Sequence, residues 1–340
     1  MSKTIKFGLV LIAIVGLISG YMAYRIIYKN NTIGQEKKDI YIGSHQTFED
    51  VLQTLKDSNV LVNYSAFEML ASYMNYKNNI KPGKYILSPG MSNKAIISKL
   101  RSGNQDPQKV TINNVRMMSD LAGKAARYFE ADSLAFLDYL RNPDNAATYG
   151  LNAENFMTMF IPNTYQMFWT TTPEKFVKRM KKEFDNFWTE EKLSKLRRHN
   201  LNPVSAYILA SIVERESQYD PERPDIAAVY LNRLKTGQRL QADPTVVYAT
   251  GDFSLQRVLH KHLTIDSPYN TYLYSGLPPG PICMPSMSSL NAVINAPEHD
   301  YMFFCAKPDN SGTHTFAVTY QEHLQNAKAF SNWLNSLQIK

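Results

Sequence analysis

An apolar helix that ends in two acids constrains this chain more than any other stretch. Residues 206–213 read AYILASIV. They follow Asn202, a good N-cap residue, and Pro203, which suits the first helical position because its missing N–H needs no partner there. A helix that is apolar on most sides has to be buried. The rest of the chain must therefore pack around this helix, whose last turns carry Glu214 and Glu216.

Two interpretations of these acids are open at the level of sequence. Side chains two positions apart on a helix point to nearly opposite faces, so one acid can line a cleft while the other meets solvent. Periodicity does not decide which acid does so. In the plain structural interpretation, both acids lie at the solvated end of a core helix and Arg215 is their ion-pair partner.

Four motifs that follow this helix carry a family resemblance. They read RLQADPTVVYA at 239–249, SPYNTY at 267–272, GLPPGPI at 276–282 and GTHTF at 312–316. Together with ASIVERES at 210–217, this series closely resembles the MltG/YceG-like endolytic murein transglycosylases, from about residue 40 to the end of the chain. In that family the catalytic acid is the Glu of the IVE step, so the resemblance assigns this role to Glu214.

The resemblance implies a lytic transglycosylase, which is a carbon–oxygen lyase acting on polysaccharides. Ordinary glycoside hydrolases use two carboxylates, whereas the motif-bearing half of this chain offers one acid in a credible position. In a lytic transglycosylase the C6 hydroxyl of the substrate attacks the anomeric carbon and leaves a 1,6-anhydro ring on N-acetylmuramic acid (MurNAc). One Glu can then act first as acid and then as base. The family implies cleavage between MurNAc and N-acetylglucosamine (GlcNAc) inside nascent strands, which ends or trims their elongation in cell-wall assembly.

A rival function is a non-catalytic, membrane-anchored glycan-binding or scaffold protein of the cell-wall synthesis machinery. The segment IPNTY at 161–165 aligns with a family motif that usually reads FPDTY and follows an acid–glycine pair. Here Met157 and Thr158 replace that pair, and Asn163 replaces the aspartate. The lost carboxylates favour the rival function, whereas Glu214 and the downstream motifs favour an enzyme.

The order of the predicted elements indicates a mixed α+β chain with several parts. We expect a cytoplasmic N-terminus at 1–6, a transmembrane signal anchor at 7–27, a linker at 28–38, a small module at 39–105 and the transglycosylase catalytic domain at 106–340. The module is predicted as strand, helix, helix, strand, and with KPGKYILSPGMS at 81–92 it resembles a LysM-like βααβ module. Such modules often bind GlcNAc polymers. A spacer that sets the reach from the membrane is an equal alternative.

The first apolar run predicts a membrane anchor. Residues 7–24 are eighteen residues without a charge, which is about the minimum for a membrane span. Lys3 and Lys6 precede the run, which places the N-terminus in the cytoplasm by the positive-inside rule. No convincing small-x-small cleavage site follows, so an uncleaved anchor is favoured over a cleaved signal peptide. We therefore expect a single-pass protein of the inner membrane with a periplasmic catalytic domain.

Two loops and a strand supply the predicted substrate-binding residues. Amides, hydroxyls and phenols suit the acetamido and hydroxyl groups of a glycan, and aromatic rings can stack on sugar faces. From the resemblance we expect such contacts from Gln241, Asp243, Thr245, Tyr269, Asn270, Tyr272 and His314. Asp243 with Pro244 could instead only start a turn or a helix. His314 could orient Glu214 or the substrate, or could equally be structural.

The remaining composition argues against other classes of function. The formal net charge is +7, and residues 1–30 hold four basic side chains and no acid, so the remaining +3 over 310 residues does not suggest nucleic-acid binding. His260 and His262 lack a further ligand set, so neither a metal nor a cofactor is expected. Cys283 and Cys305 can form a disulfide or remain two buried thiols. The expected partners are peptidoglycan strands, the membrane and peptidoglycan synthases (penicillin-binding proteins).

Overall fold

The computed structural model describes residues 3–255 and 257–336, and it has mixed α+β architecture. The chain divides into two compact units. The first holds the residues up to Lys109 together with two short segments, 128–130 and 166–171. The second holds residues 110–127 and 131–165 and the chain from Thr172 onward.

The first unit begins with a long apolar helix, α1 (Lys3–Tyr28). By length and composition α1 can cross a membrane, and it is the single such helix among the described residues. A signal sequence near an N-terminus has the same character. The predicted span at 7–27 lies within α1.

A small module follows α1 in the order predicted from the sequence. It consists of β1 (Lys38–Ile42), α2 (Phe48–Asp57), α3 (Tyr64–Tyr73), β2 (Gly83–Leu87) and then α4 (Asn93–Ser102). The two strands pair antiparallel, with Ile40 opposite Tyr85. Both of these side chains are fully buried between the strands and the helices. The strand–helix–helix–strand order is confirmed.

Local sequence signals explain where the helices of this module begin and end. Thr47 and Asp50 form the predicted capping box at the start of α2, which satisfies two backbone N–H groups that have no partner within the helix. Ser92 caps α4. Gly103 ends α4 in the left-handed conformation, at φ 71°, which glycine adopts without a steric penalty.

Two further two-stranded sheets follow along the chain. One is β3 (Gln108–Ile112) with β4 (Asn163–Met167), and the other is β5 (Phe303–Ala306) with β6 (His314–Ala317). The β5–β6 pair is antiparallel, as predicted for a hairpin across residues 307–313. Helices of the second unit lie between and after these strands: α5 (Met118–Ala126), α6 (Ser133–Arg141), α7 (Pro143–Ala147), α8 (Pro173–Phe187), α9 (Glu190–Arg197), α10 (Pro203–Glu216), α11 (Arg223–Lys235), α12 (Asp243–Thr250), α13 (His260–Leu263), α14 (Met287–Ile294) and α15 (Tyr320–Ser336).

The centre of the second unit is α10, as its apolar sequence predicts. Every residue from Ala206 to Val213 is buried, and α10 packs against α11, α12 and α14. Asn202 is the N-cap, and its side chain accepts a hydrogen bond from the N–H of Ser205. The capped N-terminal end of α10 thus lies in solvent, and its acidic C-terminal end lies on the opposite side of the core.

Two local predictions need correction or completion. The sequence predicts a capping box of Thr171 and Glu174 at the start of α8, but the N-cap is Thr172, whose side chain accepts a hydrogen bond from the N–H of Lys175. Cys283 and Cys305 are both free thiols, the first buried and the second half-buried, so the disulfide alternative does not hold.

Candidate active site

The carboxylate of Glu214 is held by the first turn of α14. Its Oε2 accepts hydrogen bonds from the N–H of Ser286 at 2.9 Å, from the hydroxyl of Ser286 at 2.5 Å and from the hydroxyl of Ser289 at 2.7 Å. Nη1 of the buried Arg223 lies 3.3 Å from the same oxygen. A carboxylate at the N-terminus of a helix is favourably placed in the field of the helix dipole. Glu214 therefore ties α10, α11 and α14 together.

Glu216, one half-turn later, has different surroundings. Its side chain is half-buried and accepts a hydrogen bond at 2.5 Å from the hydroxyl of the buried Tyr230 on α11. Burial, with a smaller contribution from the charge of Asp243, raises the pKa of the Glu216 carboxyl to about 7 against the opposing effects of Tyr230 and Arg233. Glu216 is therefore not an acid at a fully solvated helix end, as the plain structural interpretation of the sequence would place it. Of the two acids, Glu216 is the one whose protonated form is favoured by removal from water.

Three cavities adjoin one another at the acidic end of α10. Glu216 lines a cavity of about 340 Å³ together with Asp243 and Tyr248. Glu214 lines a second cavity of about 510 Å³, which shares Arg116, Arg215 and Phe253 with the first. A third cavity of about 160 Å³ shares Tyr248 with the first and reaches Glu154 and Tyr269. Together they form a groove that passes both acids.

Two arginines make one wall of this groove basic. Arg116 and Arg215 line both larger cavities, and the guanidinium of Arg116 lies 4.3 Å from the ring centre of Phe253. Partial burial and the charge of Arg215 lower the pKa of Arg116. Among residues 3–255 and 257–336, neither arginine forms an ion pair with a carboxylate. An anionic group on a bound polymer would be attracted to this wall.

Part of the predicted substrate-binding set lies at the groove. Asp243 is exposed at the start of α12 and lines the cavity of Glu216, so it both begins a helix and faces the groove. Tyr272 donates a hydrogen bond to Oδ1 of Asp243 at 2.5 Å. Tyr269 lines the smallest cavity, with its ring centre 4.7 Å from that of Tyr248. Gln241 is exposed just before α12, with φ at 50°.

Thr245 and Asn270 do not fit the role predicted for them. Both side chains are fully buried. The hydroxyl of Thr245 donates to the carbonyl of Ala242, and the amide of Asn270 donates to the carbonyls of Leu263 and Ile265. Groups without accessible surface cannot contact a glycan, so these residues hold the loops that frame the groove.

His314 is also placed differently from its prediction. The main-chain N–H of His314 donates to Oε1 of Glu222 at 2.6 Å, and its Nδ1 lies 2.7 Å from Oε2 of the same carboxylate. Glu222 is 7% exposed. The acid that His314 contacts is therefore Glu222 and not Glu214, and this pair fastens β6 to the segment that precedes α11.

Some residues that line the groove or contact its acids were missed at the level of sequence. Tyr230 and Arg116 lie in segments without a recognised motif, and nothing in their spacing connects them to α10. Tyr248 lies inside the motif at 239–249, so a signal for it was present. Of the three residues that depart from the family pattern, Met157 lines the smallest cavity beside Glu154, Thr158 is fully buried and Asn163 is exposed on β4.

Comparisons with known proteins agree on one family. A model of the YceG-like family matches residues 40–329. An endolytic murein transglycosylase of Bacillus subtilis is 32% identical over 303 residues, covering 84% of this chain and 82% of that protein. One from Streptococcus pneumoniae serotype 2 is 25% identical over 352 residues, covering 92% of this chain and 62% of that protein. A crystal structure of a YceG-like protein from Listeria monocytogenes matches with a TM-score of 0.55 at 29% identity, covering 86% of this chain and 99% of that one. The chain belongs to the YceG-like family.

Proposed function

We propose that this protein is an endolytic murein transglycosylase that cleaves the MurNAc–GlcNAc bond within nascent peptidoglycan strands. Its family and the names of its relatives support this assignment. The observation that carries it is a groove lined by an acid, Glu216, whose pKa lies near neutrality. Such an acid can be protonated in the resting enzyme and ionised after it has given up the proton.

We assign the proton donor to Glu216, although the sequence motif assigns it to Glu214. Oε2 of Glu214 accepts three hydrogen bonds and faces Arg223, so that oxygen is engaged as an acceptor. Its contacts are those of a residue that holds helices in place. Glu216 has one hydrogen bond, from Tyr230, and lines the cavity beside Asp243. A carboxyl whose pKa is raised by burial is typical of acid catalysis on glycosides.

The proposed reaction uses Glu216 twice. The protonated carboxyl gives its proton to the glycosidic oxygen as the bond to the anomeric carbon of MurNAc breaks. Positive charge develops at that carbon, and the exposed carboxylate of Asp243 in the same cavity can stabilise it. The C6 hydroxyl of the same MurNAc then forms the new C–O bond and passes its proton to the Glu216 carboxylate. The acid is restored and no water is consumed.

A hydrolase is the competing reaction, because Asp243 gives the cavity a second carboxylate. The two reactions differ in the origin of the oxygen at the new chain end. We expect digestion of peptidoglycan strands in heavy-oxygen water to give unlabelled 1,6-anhydro-MurNAc ends, one water lighter than reducing ends, and internal cuts rather than released disaccharides. Mass spectrometry of the products measures both features. Reducing ends carrying solvent oxygen would instead identify a hydrolase in which Asp243 activates water.

The same experiment addresses the rival scaffold function. A non-catalytic glycan-binding protein would leave the strand-length distribution unchanged while still sedimenting with peptidoglycan. The Glu216→Gln variant serves as the matched blank, since it keeps the shape of the side chain and removes the proton. A wild-type digest indistinguishable from this blank would favour the scaffold.

We also propose that α1 anchors the protein in the membrane, with the N-terminus cytoplasmic and the chain that follows α1 on the exported side, which is the periplasm in a cell with two membranes. Its apolar length and the preceding Lys3 and Lys6 support this orientation. The strand–helix–helix–strand order of the module supports a LysM-like role in holding GlcNAc-containing strands. Peptidoglycan synthases at the same membrane are the proposed partners, because they produce the strands that this protein would cut.

A further inference from the structure

A cleft of about 420 Å³ lies where α1 leaves its apolar stretch and meets the module. Its walls come from the last turns of α1 and the beginning of α3, all within the first unit. The apolar lining includes Met22, Ile26, Val62 and Met69, and the charged lining is Arg25 and Lys29. Val62 and Met69 are 66% and 62% exposed, which is unusual for apolar side chains of a small module.

A buried cluster of amides fixes both walls of this cleft. Asn31 is 4% exposed, and its side chain donates to Oδ1 of Asn93 at 2.5 Å and to the carbonyl of Asn63 at 2.9 Å. The N–H of Asn63 donates back to Oδ1 of Asn31 at 2.7 Å. Asn93 in turn donates to the carbonyl of Ile26 in α1 at 2.9 Å. The cleft is therefore a built feature of the junction, because satisfied buried amides resist rearrangement.

The charge of the cleft is uniformly positive. Arg25 lies in the last turn of α1, and Lys29 directly follows that helix, with its N–H donating to the carbonyl of Arg25 at 3.3 Å. Both residues line the cleft. The residues that line the cleft include no acid, and within the described ranges neither cation forms an ion pair with a carboxylate. Two cations beside an apolar wall are complementary to a group that carries negative charge at one end and hydrocarbon at the other.

The position of the cleft along α1 matches the level of lipid headgroups. The uncharged run ends at Tyr24, so Arg25 is the first charged residue beyond the hydrocarbon layer if α1 spans the membrane. Loops on the exported side usually carry fewer basic residues than those on the cytoplasmic side. Arg25 and Lys29 therefore weaken the charge difference by which Lys3 and Lys6 orient the helix. We infer that these two cations serve a purpose other than orientation.

We propose that this cleft binds the headgroup of an anionic phospholipid. Arg25 and Lys29 would pair with the phosphate, and an acyl chain would lie against Met22, Val62 and Met69. The inference rests on the proposed membrane anchoring. Its consequence is that one bound lipid would fix how the module stands on the membrane surface.

The test uses the full chain in nanodiscs and counts retained lipids by native mass spectrometry after transfer to detergent. Discs contain equal amounts of phosphatidylglycerol and phosphatidylcholine. Electrostatic attraction contributes about 1 kcal/mol per basic residue near a membrane, so Arg25→Gln with Lys29→Gln should lower phosphatidylglycerol retention by about tenfold or more. The matched control is Lys37→Gln with Lys56→Gln, which removes the same charge from exposed positions outside the cleft and should retain the lipid like wild type.

Three results would overturn the proposal: equal retention by the cleft variant and the control, displacement of the lipid by millimolar inorganic phosphate, or preferential retention of a polyprenyl phosphate offered at the same concentration.

Two controls keep failure of the lipid proposal separate from failure of the proposed function. Incorporation of the chain into the disc tests the anchor itself. Cleavage of detached glycan strands by the cleft variant in detergent should equal that of wild type, since Arg25 and Lys29 have no part in the reaction.

Discussion

Glu214 and Glu216 lie two residues apart, yet their carboxyl groups have different chemical surroundings. Glu214 accepts hydrogen bonds from Ser286 and Ser289 and lies beside Arg223, whereas Glu216 is half-buried against Tyr230. The first environment supplies hydrogen-bond donors from α14 and a guanidinium from α11, so the Glu214 side chain joins three helices. The second disfavours the charged form and so suits a group that gains and loses a proton.

Substitution of each acid by Gln separates the two roles. Glu216→Gln should lower turnover by about 10²- to 10⁴-fold, the usual contribution of a general acid, with little loss of stability. Glu214→Gln should destabilise the fold by about 1–3 kcal/mol, because the donors of Ser286 and Ser289 lose a charged acceptor, and should leave most of the turnover of the folded protein. Turnover per folded molecule and thermal unfolding measure the two effects. If the Glu214→Gln variant were stable but inactive and the Glu216→Gln variant were active, the proton donor would be Glu214, as the sequence motif assigns.

The raised pKa of Glu216 also predicts two pH dependences. A general acid works only while protonated, so kcat/KM should fall as the pH rises through about 7. Because the folded-state pKa exceeds the ordinary value of 4.5, the folded protein binds more protons at this position between those pH values. The stability that protonated Glu216 contributes is therefore complete below pH 4.5 and is lost as the pH rises through about 7. Gln resembles the protonated acid and does not titrate, so denaturant unfolding should show similar stabilities of wild type and Glu216→Gln below pH 4.5 and a loss of wild-type stability relative to the variant as the pH rises through about 7. A difference that stays constant with pH would contradict the shift.

At the scale of elements, the loop at 276–282 forms part of the groove wall through close backbone contact. A Cβ atom at Gly280 would lie 2.0 Å from the carbonyl oxygen of Glu154. Pro281 and Glu154 both line the smallest cavity. The absence of a side chain at Gly280 therefore lets this loop close against the segment that carries Glu154.

Gly280→Ala should displace this loop, since a backbone oxygen cannot rotate away as a side chain can. We expect a loss of about 1–3 kcal/mol in the free energy of unfolding, typical of overpacking, together with weaker strand binding. The control is Gly123→Ala in the middle of α5, where an added Cβ meets nothing within 4 Å. That change should stabilise the protein slightly, because Ala favours a helix over Gly. Equal unfolding midpoints for the two variants would show that the loop is free to move.

At the scale of the molecule, the apolar helix α1 is part of the folded module rather than a tether beside it. Ile26 and Ile27 pack against the hydrophobic core of the module, and Asn93 donates to the carbonyl of Ile26. Removal of α1 by a signal peptidase would take these contacts away and expose apolar surface. These contacts are a second argument, besides the lack of a convincing cleavage site, for expecting that α1 is not removed.

We therefore expect the mature protein to keep its N-terminal helix and to fractionate with the membrane. Intact-mass measurement of the protein extracted from cells gives the position of its first residue. Replacing Ile27 by Asn should lower the unfolding temperature of the module, whereas the same replacement at Ile12, which is 70% exposed, should not change it. A soluble exported form that begins after residue 20 would refute the anchor.

Local sequence determined much of this protein. The apolar run of α10, its Asn202–Pro203 start, the capping box of Thr47 and Asp50 and the order of the module all follow from interactions between residues a few positions apart. The motifs were also sufficient for the family, because a series of motifs in the same order does not depend on knowing the fold. Helix caps and apolar periodicity act over one or two turns, so a single sequence displays them directly.

Tertiary packing alone decided which acid faces which neighbours. The donors to Glu214 come from residues more than 70 positions away, and the partner of His314 is 92 positions away. The sequence predicts that Thr245 and Asn270 bind a glycan. In the fold both side chains are buried and donate hydrogen bonds to backbone carbonyls. The periodicity of α10 placed its two acids on opposite faces but could not say what covers each face. That depends on how α11, α12 and α14 close around α10, which is a property of the whole core and not of any local stretch.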